Sequence, residues 1–251
     1  ALPIYVDATW EALRRQIPAG INAAASGMTY WSSDTGGWQW PGGAGEATTA
    51  PLIDPTGATA MAPDYKDYPE LFVRWFEYNA FTPTLRIHGQ RPGTALWQYG
   101  PAAEAVLGDV LRLRYALLPY TYAAGRKAYD TGAPIMRGLF MDFAHDAKAV
   151  TISDQYMFGS AIMVAPVTTQ GQTHRPVYLP AGTQWYDWWS GKKYEGGQTI
   201  DADAPIAHIP LFVKAGSIIA LGSPILSTAE KQSIAMIRVF AGADGRAMLY
   251  D

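Results

Sequence analysis

Gly132 divides this sequence into two textures that no single repeating architecture can share. Before it, apolar residues recur at helical spacing between short β-rich runs. Residues 8 to 18 read as a helix: Thr9 can cap it, and Trp10, Leu13 and Ile17 share a face, with Arg14 and Arg15 between them. Met28 to Trp31 reads as a short strand leading to Asp34 and the Gly36-Gly37 turn. A second helix follows Pro69, with Leu71, Phe72, Trp75, Phe76 and Phe81 as its apolar stripe, and Pro83 then opens a strand from Thr84 to His88. Residues 101 to 129 form the longest helical pattern, carrying Val106, Val110, Leu113, Leu117 and Leu118, with an interruption expected at Pro119. Helix alternating with strand is the rhythm of an α/β barrel. After Gly132 the runs shorten to Tyr156–Phe158, Ala161–Val164, Pro176–Leu179 and Leu211–Val213, punctuated by Gly and Pro, which predicts a β-sandwich beside the barrel. A last pair of strands is expected at Ile234–Phe240 and Ala247–Tyr250, around the turn Gly242 to Gly245. The fold class expected is α/β plus all-β.

Composition removes several classes of function. Hydrophobic content of 49% with 16% charged residues marks a chain that buries a core. A formal net charge of −3 gives no electrostatic reason to expect nucleic acid or an anionic membrane as partner. There is no cysteine, which excludes disulfides and thiolate metal sites, and the histidines at 88, 145, 174 and 208 lack metal-ligand spacing, so zinc catalysis is not expected. No apolar run approaches the ~20 residues that span a bilayer, and no signal peptide opens the chain, so either a mature form is given or the true N-terminus lies elsewhere. Neither compartment nor oligomeric state can be read from these residues.

The chemistry concentrates at two β-rich ends. Side chains alternate faces along a strand, so Leu85 and Ile87 point one way and Thr84, Arg86 and His88 the other. In a barrel the apolar pair faces the helices, and Arg86 and His88 face the axis near the mouth where such folds bind substrate. An inward Arg and His cost several kcal/mol unless they meet partners or a wet pocket. One reading of Arg86 is a structural ion pair; the other is a ligand-binding group. Asp34 ends the preceding run, where Asp-x-Gly-Gly is either a plain turn or a carboxylate aimed at hydroxyls or at Arg86. Trp31 and Trp38 are either core or aromatic plates for a sugar ring. Taken together, a carboxylate, a guanidinium, an imidazole and indoles at adjacent strand ends are the parts of a sugar pocket.

Several segments, in order, resemble glycoside hydrolase family 31, the α-glucosidase and α-xylosidase family. They include Thr9 to Gly20 (TWEALRRQIPAG), the Asp34 turn, Leu71 to Phe76 (LFVRWF), Phe81 to Gly89 (FTPTLRIHG), Trp97 to Gly100 and Leu113 to Tyr120 (LRYALLPY). Ile135-Met136-Arg137, Asp154 to Val167 (DQYMFGSAIMVAPV), Trp185-Tyr186-Asp187, Gly196-Gly197 and Ile209 to Ile218 (IPLFVKAGSI) continue the series. Trp185 to Gly191 (WYDWWSG) and Glu230-Lys231 look more like the α-xylosidase branch. The resemblance implies residues 1–132 as the last segments of a (β/α)8 TIM barrel; residues 39–64 within it, rich in Gly, Pro, Ala and Thr and too long for an ordinary connection, read as a lid or surface insertion. It implies residues 133–226 as a β-sandwich domain and residues 227–251 as the start of a truncated distal β domain.

The resemblance also implies a cofactor-free, retaining hydrolysis of terminal α-xylosyl or α-glucosyl residues, with Asp34, Arg86 and His88 bonding the hydroxyls of the cleaved sugar and Trp38 and Trp31 lining the subsite. Retaining enzymes need two carboxyl groups ~5–5.5 Å apart. The family's nucleophile belongs to an earlier strand, upstream of residue 1, and its acid/base position falls on Tyr5, in Leu2-Pro3-Ile4-Tyr5. Asp7 is the nearby carboxylate, two residues out of register: either a catalytic acid after a local slip or a helix-capping group beside Thr9. Three functional readings stay open at this point: an α-glycosidase taking a glycoside or oligosaccharide substrate, a transglycosylase or lyase of the same family, and a catalytically incomplete carbohydrate-binding protein. Tyr5 is the feature that favours the last.

Overall fold

A computed structural model describes residues 6–39, 68–89 and 94–250. The expected 39–64 insertion therefore lies, apart from Gln39, outside the described residues, as does Tyr5. Helix α1 runs Trp10–Ala25, with the Thr9 hydroxyl accepting the Ala12 N–H at 3.1 Å and Glu11 in the first turn, both favourable at a helix N-terminus. The helix outruns the predicted end at residue 18 in spite of Pro18. The apolar face that Leu13 and Ile17 begin is carried on by Ile21 and Ala24, and burial of that face outweighs the one backbone bond that proline removes. Gly27, at φ +89, ends it.

Helix α2, Tyr68–Ala80, departs from the expected single stripe: every residue from Leu71 to Ala80 is buried. The residues 101–129 pattern resolves into α3, Pro101–Ala116, and α4, Leu118–Thr131, broken at Leu117 so that Pro119 falls in the first turn of α4 where its missing N–H costs nothing. Between the helices, short parallel contacts replace the two predicted strands. Thr84 N–H reaches Trp31 O, Thr35 N–H reaches Arg86 O, and Trp38 N–H and Ala8 N–H join the 37–39 segment to residues 6–8. Bridges Asp34–Arg86 and Asp7–Gln39 are both parallel, so three chain segments lie side by side in the manner of barrel strands.

Beyond Gly132, which caps α4 at φ +73, all strand pairing is antiparallel. The strands are β1 Met136–Gly138, β2 Tyr156–Phe158, β3 Ile162–Val164, β4 His174–Leu179, β5 Gln184–Asp187, β6 Lys193–Glu195, β7 Gln198–Asp203, β8 Leu211–Lys214, β9 Ile218–Gly222 and β10 Ile234–Val239, with a short helix α5, Leu139–Asp142, after β1. The main sheet has the order β1-β2-β3-β8-β5-β6, and β4–β7 and β9–β10 form two further pairs. Alternation gives this sheet two jobs. Tyr156, Phe158, Ile162, Val164, Leu211 and Val213 join the core shared with the helices, while Met157, Met163 and Phe212 face Val177, Leu179 and Ala202 of the β4–β7 pair. The fold is thus helices and parallel strand ends of a barrel type, followed by an antiparallel β domain. The predicted terminal hairpin is corrected: β10 pairs with β9, Ser223 N–H closing their connection on Ser233 O, and Ala247–Tyr250 forms no strand. Tyr250 instead packs its ring on Tyr122 and under Arg126.

Burial on all sides leaves α2 with charges to place. Arg74 donates to Gln172 O, Ala204 O and Pro205 O of the β domain and sits 3.2 Å from Glu77, with both side chains 1% exposed. Burial pushes the Glu77 carboxyl up to about 8 against the pull of Arg74. Between the unfolded value and about 8 the folded state holds a proton that the unfolded chain has released. The contribution of this group is therefore complete below pH ~4.5 and lost as pH rises through 8. Glu77→Gln is expected to flatten that decline, read as a smaller fall in Tm between pH 5 and pH 8.5 than in the unsubstituted chain. Parallel Tm curves for the two proteins would remove the assignment.

Candidate functional site

The three parallel segments bring their polar ends together. Asp34 is only 8% exposed, yet Arg86 and His88 beside it are about half exposed, so the carboxylate lies at the base of an open mouth. Arg86 Nε sits 2.7 Å from Asp34 Oδ1, and Arg86 Nη2 lies 2.6 Å from His88 Nδ1. A guanidinium has no acceptor, so Nδ1 accepts and the imidazole N–H is on Nε2, directed away from the pair. The second contact of His88, 3.8 Å from Asp34 Oδ1, is too long for a hydrogen bond. Trp38, half-buried, meets the His88 ring edge-on with centroids 4.6 Å apart. Among the described residues no partner engages Asp34 Oδ2, so an acceptor oxygen, guanidinium N–H groups and an imidazole N–H all face the opening beside an indole.

Sequence alternation is kept here: Leu85 and Ile87 pack on the core, while Thr84, Arg86 and His88 are exposed. Other expected residues lie elsewhere. Trp31 is 4% exposed and its indole donates to Tyr78 Oη at 3.3 Å, so it is core and offers the opening no ring face. The helix cap is Thr9; the Asp7 carboxylate instead accepts from Gln39 Nε2 at 3.0 Å, one strand end away, which corrects the capping expectation. Asp187 accepts from the backbone N–H groups of Trp189 and Ser190, closing the turn after β5.

Support for the site comes from α2 and α3, and the apolar-stripe reading of α2 missed it. Asn79 Nδ2 donates to Ser33 O and Thr35 Oγ1, Ser33 Oγ donates to Asn79 Oδ1, and Trp75 Nε1 donates to Ser33 Oγ. Arg114 of α3 donates to Ala80 O, Thr82 O and Pro83 O, which fixes the turn from α2 into the Arg86 segment; burial lowers that guanidinium to about 10. The available signal was Asn79 itself, an amide in the last turn of a helix whose remaining side chains are mostly apolar.

Two matches to protein families cover most of the chain: the glycosyl hydrolases family 31 TIM-barrel domain over residues 5–124 and the glycosyl hydrolase family 31 C-terminal domain over residues 132–219. An α-xylosidase from Saccharolobus solfataricus is 38% identical over 243 residues, covering 96% of this chain and 30% of that protein. The crystal structure of an α-xylosidase from Xanthomonas citri superposes with a TM-score of 0.86 at 39% identity, over 98% of this chain and 26% of that one. A Flavobacterium johnsoniae dextranase complexed with glucose gives a TM-score of 0.79 at 33% identity, over 93% and 27%. The chain thus spans less than a third of the length of each of these three proteins.

Arg86→Ala leaves a nearly buried carboxylate unpaired. The expected loss is about 1–2 kcal/mol, below the ~3–5 kcal/mol of a fully buried pair because Arg86 is itself half exposed. Adding Asp34→Ala should recover part of it in a urea-unfolding double-mutant cycle, and strictly additive losses would show that the contact contributes nothing.

Proposed function

The chain belongs to glycosyl hydrolase family 31, and we propose that it supplies the sugar-holding side of a retaining α-glycosidase acting on terminal α-xylosyl or α-glucosyl residues. The observation that carries this reading is the convergence of Asp34, Arg86, His88 and Trp38 at one open mouth. Arg86 holds the carboxylate in place through Oδ1, leaving Oδ2 to accept from a sugar hydroxyl. Guanidinium N–H groups and the His88 Nε2–H supply donors to hydroxyl oxygens, and the Trp38 ring offers a surface to the C–H face of a pyranose. These are ground-state contacts that orient a terminal residue; contacts that strengthen as the ring flattens toward an oxocarbenium-like transition state also aid its cleavage.

The α-xylosidase relatives make a xyloside the first ligand to try, and the glucose-bound dextranase makes a glucoside the second. The carboxylate pair of the retaining mechanism is a separate matter. Asp7 is tied to Gln39, and the resemblance sets Tyr5 at the acid/base position. Tyr5 favours the second reading, a carbohydrate-binding protein that does not turn over its ligand.

Titration of the 251-residue chain with methyl α-xyloside and methyl α-glucoside, followed by calorimetry, is expected to show saturable binding. Asp34→Ala should weaken it by about 10–100-fold, the worth of one or two charge-assisted hydrogen bonds. Equal affinity in the substituted protein would sink the assignment. Release of nitrophenol from the corresponding α-glycosides, lost on Asp34→Ala, would reject the binding-only reading.

A further inference from the structure

We propose that Asn79 is a positioning residue for Asp34 and Arg86, acting through Ser33 and Thr35; the functional meaning of this inference rests on the sugar-site reading above. Asn79 lies in the last turn of α2 and is fully buried. Its amide spends its hydrogen bonds on the two neighbours of Asp34 in the chain. Nδ2 donates to Ser33 O at 2.8 Å and to Thr35 Oγ1 at 2.7 Å, and Oδ1 accepts from Ser33 Oγ at 3.0 Å. One turn earlier on the same helix, Trp75 Nε1 donates to Ser33 Oγ at 2.9 Å, which directs the serine hydrogen toward Asn79. The Thr35 hydroxyl, having accepted from Asn79, donates to Arg86 O at 2.7 Å.

The network has one polarity. Its hydrogens run from Trp75 through Ser33 to the Asn79 oxygen, and from the Asn79 amide through Thr35 to the Arg86 carbonyl. Flipping the amide would set its oxygen against the Ser33 carbonyl and against a hydroxyl already committed to Arg86. Both members of the ion pair are therefore held by their backbones from one buried side chain. Asp34 projects between two gripped residues, and the Arg86 backbone is gripped by the second of them. The 2.7 Å contact between Arg86 Nε and Asp34 Oδ1 is then set by covalent geometry as well as by attraction across a half-exposed surface.

A purely structural Asn79 would lower stability when removed and leave the surviving Arg86–Asp34 contact intact in the folded molecules. A positioning Asn79 would loosen that contact while the fold persists. The discriminating measurement is hydrogen exchange at the Arg86 Nε–H, followed by nitrogen-15 NMR on the 251-residue chain, with backbone amides of β2 and β3 as the internal report on folding. Thr35→Val deletes the relaying hydroxyl at nearly constant volume, Thr35→Ser keeps it, and Asn79→Ala removes the hub. Protection of the Arg86 Nε–H is expected to fall about fivefold or more in Thr35→Val and Asn79→Ala, the equivalent of one lost hydrogen bond, and to persist in Thr35→Ser. Should Asn79→Ala fail to fold, Thr35→Val decides alone. Unchanged protection in Thr35→Val would overturn the inference, and so would an unsubstituted Arg86 Nε–H exchanging as fast as that of exposed Arg112. Sugar titration of the same variants separates the two claims: absent binding with the predicted loss of protection would reject the sugar site and keep the positioning role.

Discussion

From Leu71 to Ala80 helix α2 has no solvent face, and much of the molecule is arranged around that fact. A buried helix must find partners for every polar group it carries, because each unpaired group costs about 1–3 kcal/mol. Most of these groups here become ties to other parts of the fold, while Glu77 pairs with Arg74 on the same helix and one of its oxygens, like Arg74 Nε, has no partner among the described residues. Arg74 reaches backbone carbonyls in the β domain, Asn79 reaches the residues flanking Asp34, and Trp75 reaches Ser33. The carbonyls at its C-terminal end are collected by Arg114 from α3 and by the Tyr156 hydroxyl from β2. The β domain and the polar mouth consequently share one rigid element, although they lie on different parts of the chain.

The antiparallel sheet is the counterpart of that helix. Three of its strands are buried on both faces, with aromatic and aliphatic side chains alternating between the helical core and the β4–β7 pair. Tyr120 reinforces the join: its hydroxyl donates to Phe158 O and accepts the Ala161 N–H, and burial raises it to about 12. Gly159, at φ +62, passes so close to that hydroxyl that a side chain there would meet it. A domain boundary drawn at Gly132 in sequence is thus a continuous core in space.

Periodicity and punctuation made the helices, the two textures and the inner strands legible, because those features depend on neighbours within a few residues. Leu85 and Ile87 against Arg86 and His88 were readable for the same reason: a strand's alternation survives even where pairing shrinks to isolated bridges. What depended on distant partners was not readable. The extension of α1 past Pro18 depends on where Ile21 and Ala24 pack. The pairing of β10 with β9 depends on an edge supplied upstream of the loop that joins them. Trp31 and Trp38 look alike in sequence, and only the depth of each segment makes one a core residue and leaves the other beside His88. Asn79 was hidden by its apolar company, since burial alone does not tell an idle amide from a hub.

The sugar-site proposal turns on whether the opening formed by Asp34, Arg86, His88 and Trp38 holds a pyranose. The most direct measurement is a crystal structure of the 251-residue chain soaked with methyl α-xyloside. The expected density is a pyranose with a hydroxyl within hydrogen-bond distance of Asp34 Oδ2, a second near His88 Nε2 or the Arg86 guanidinium, and its ring against Trp38. A sugar seated elsewhere on the molecule, with the Asp34–Arg86–His88 cluster left to water, would contradict it.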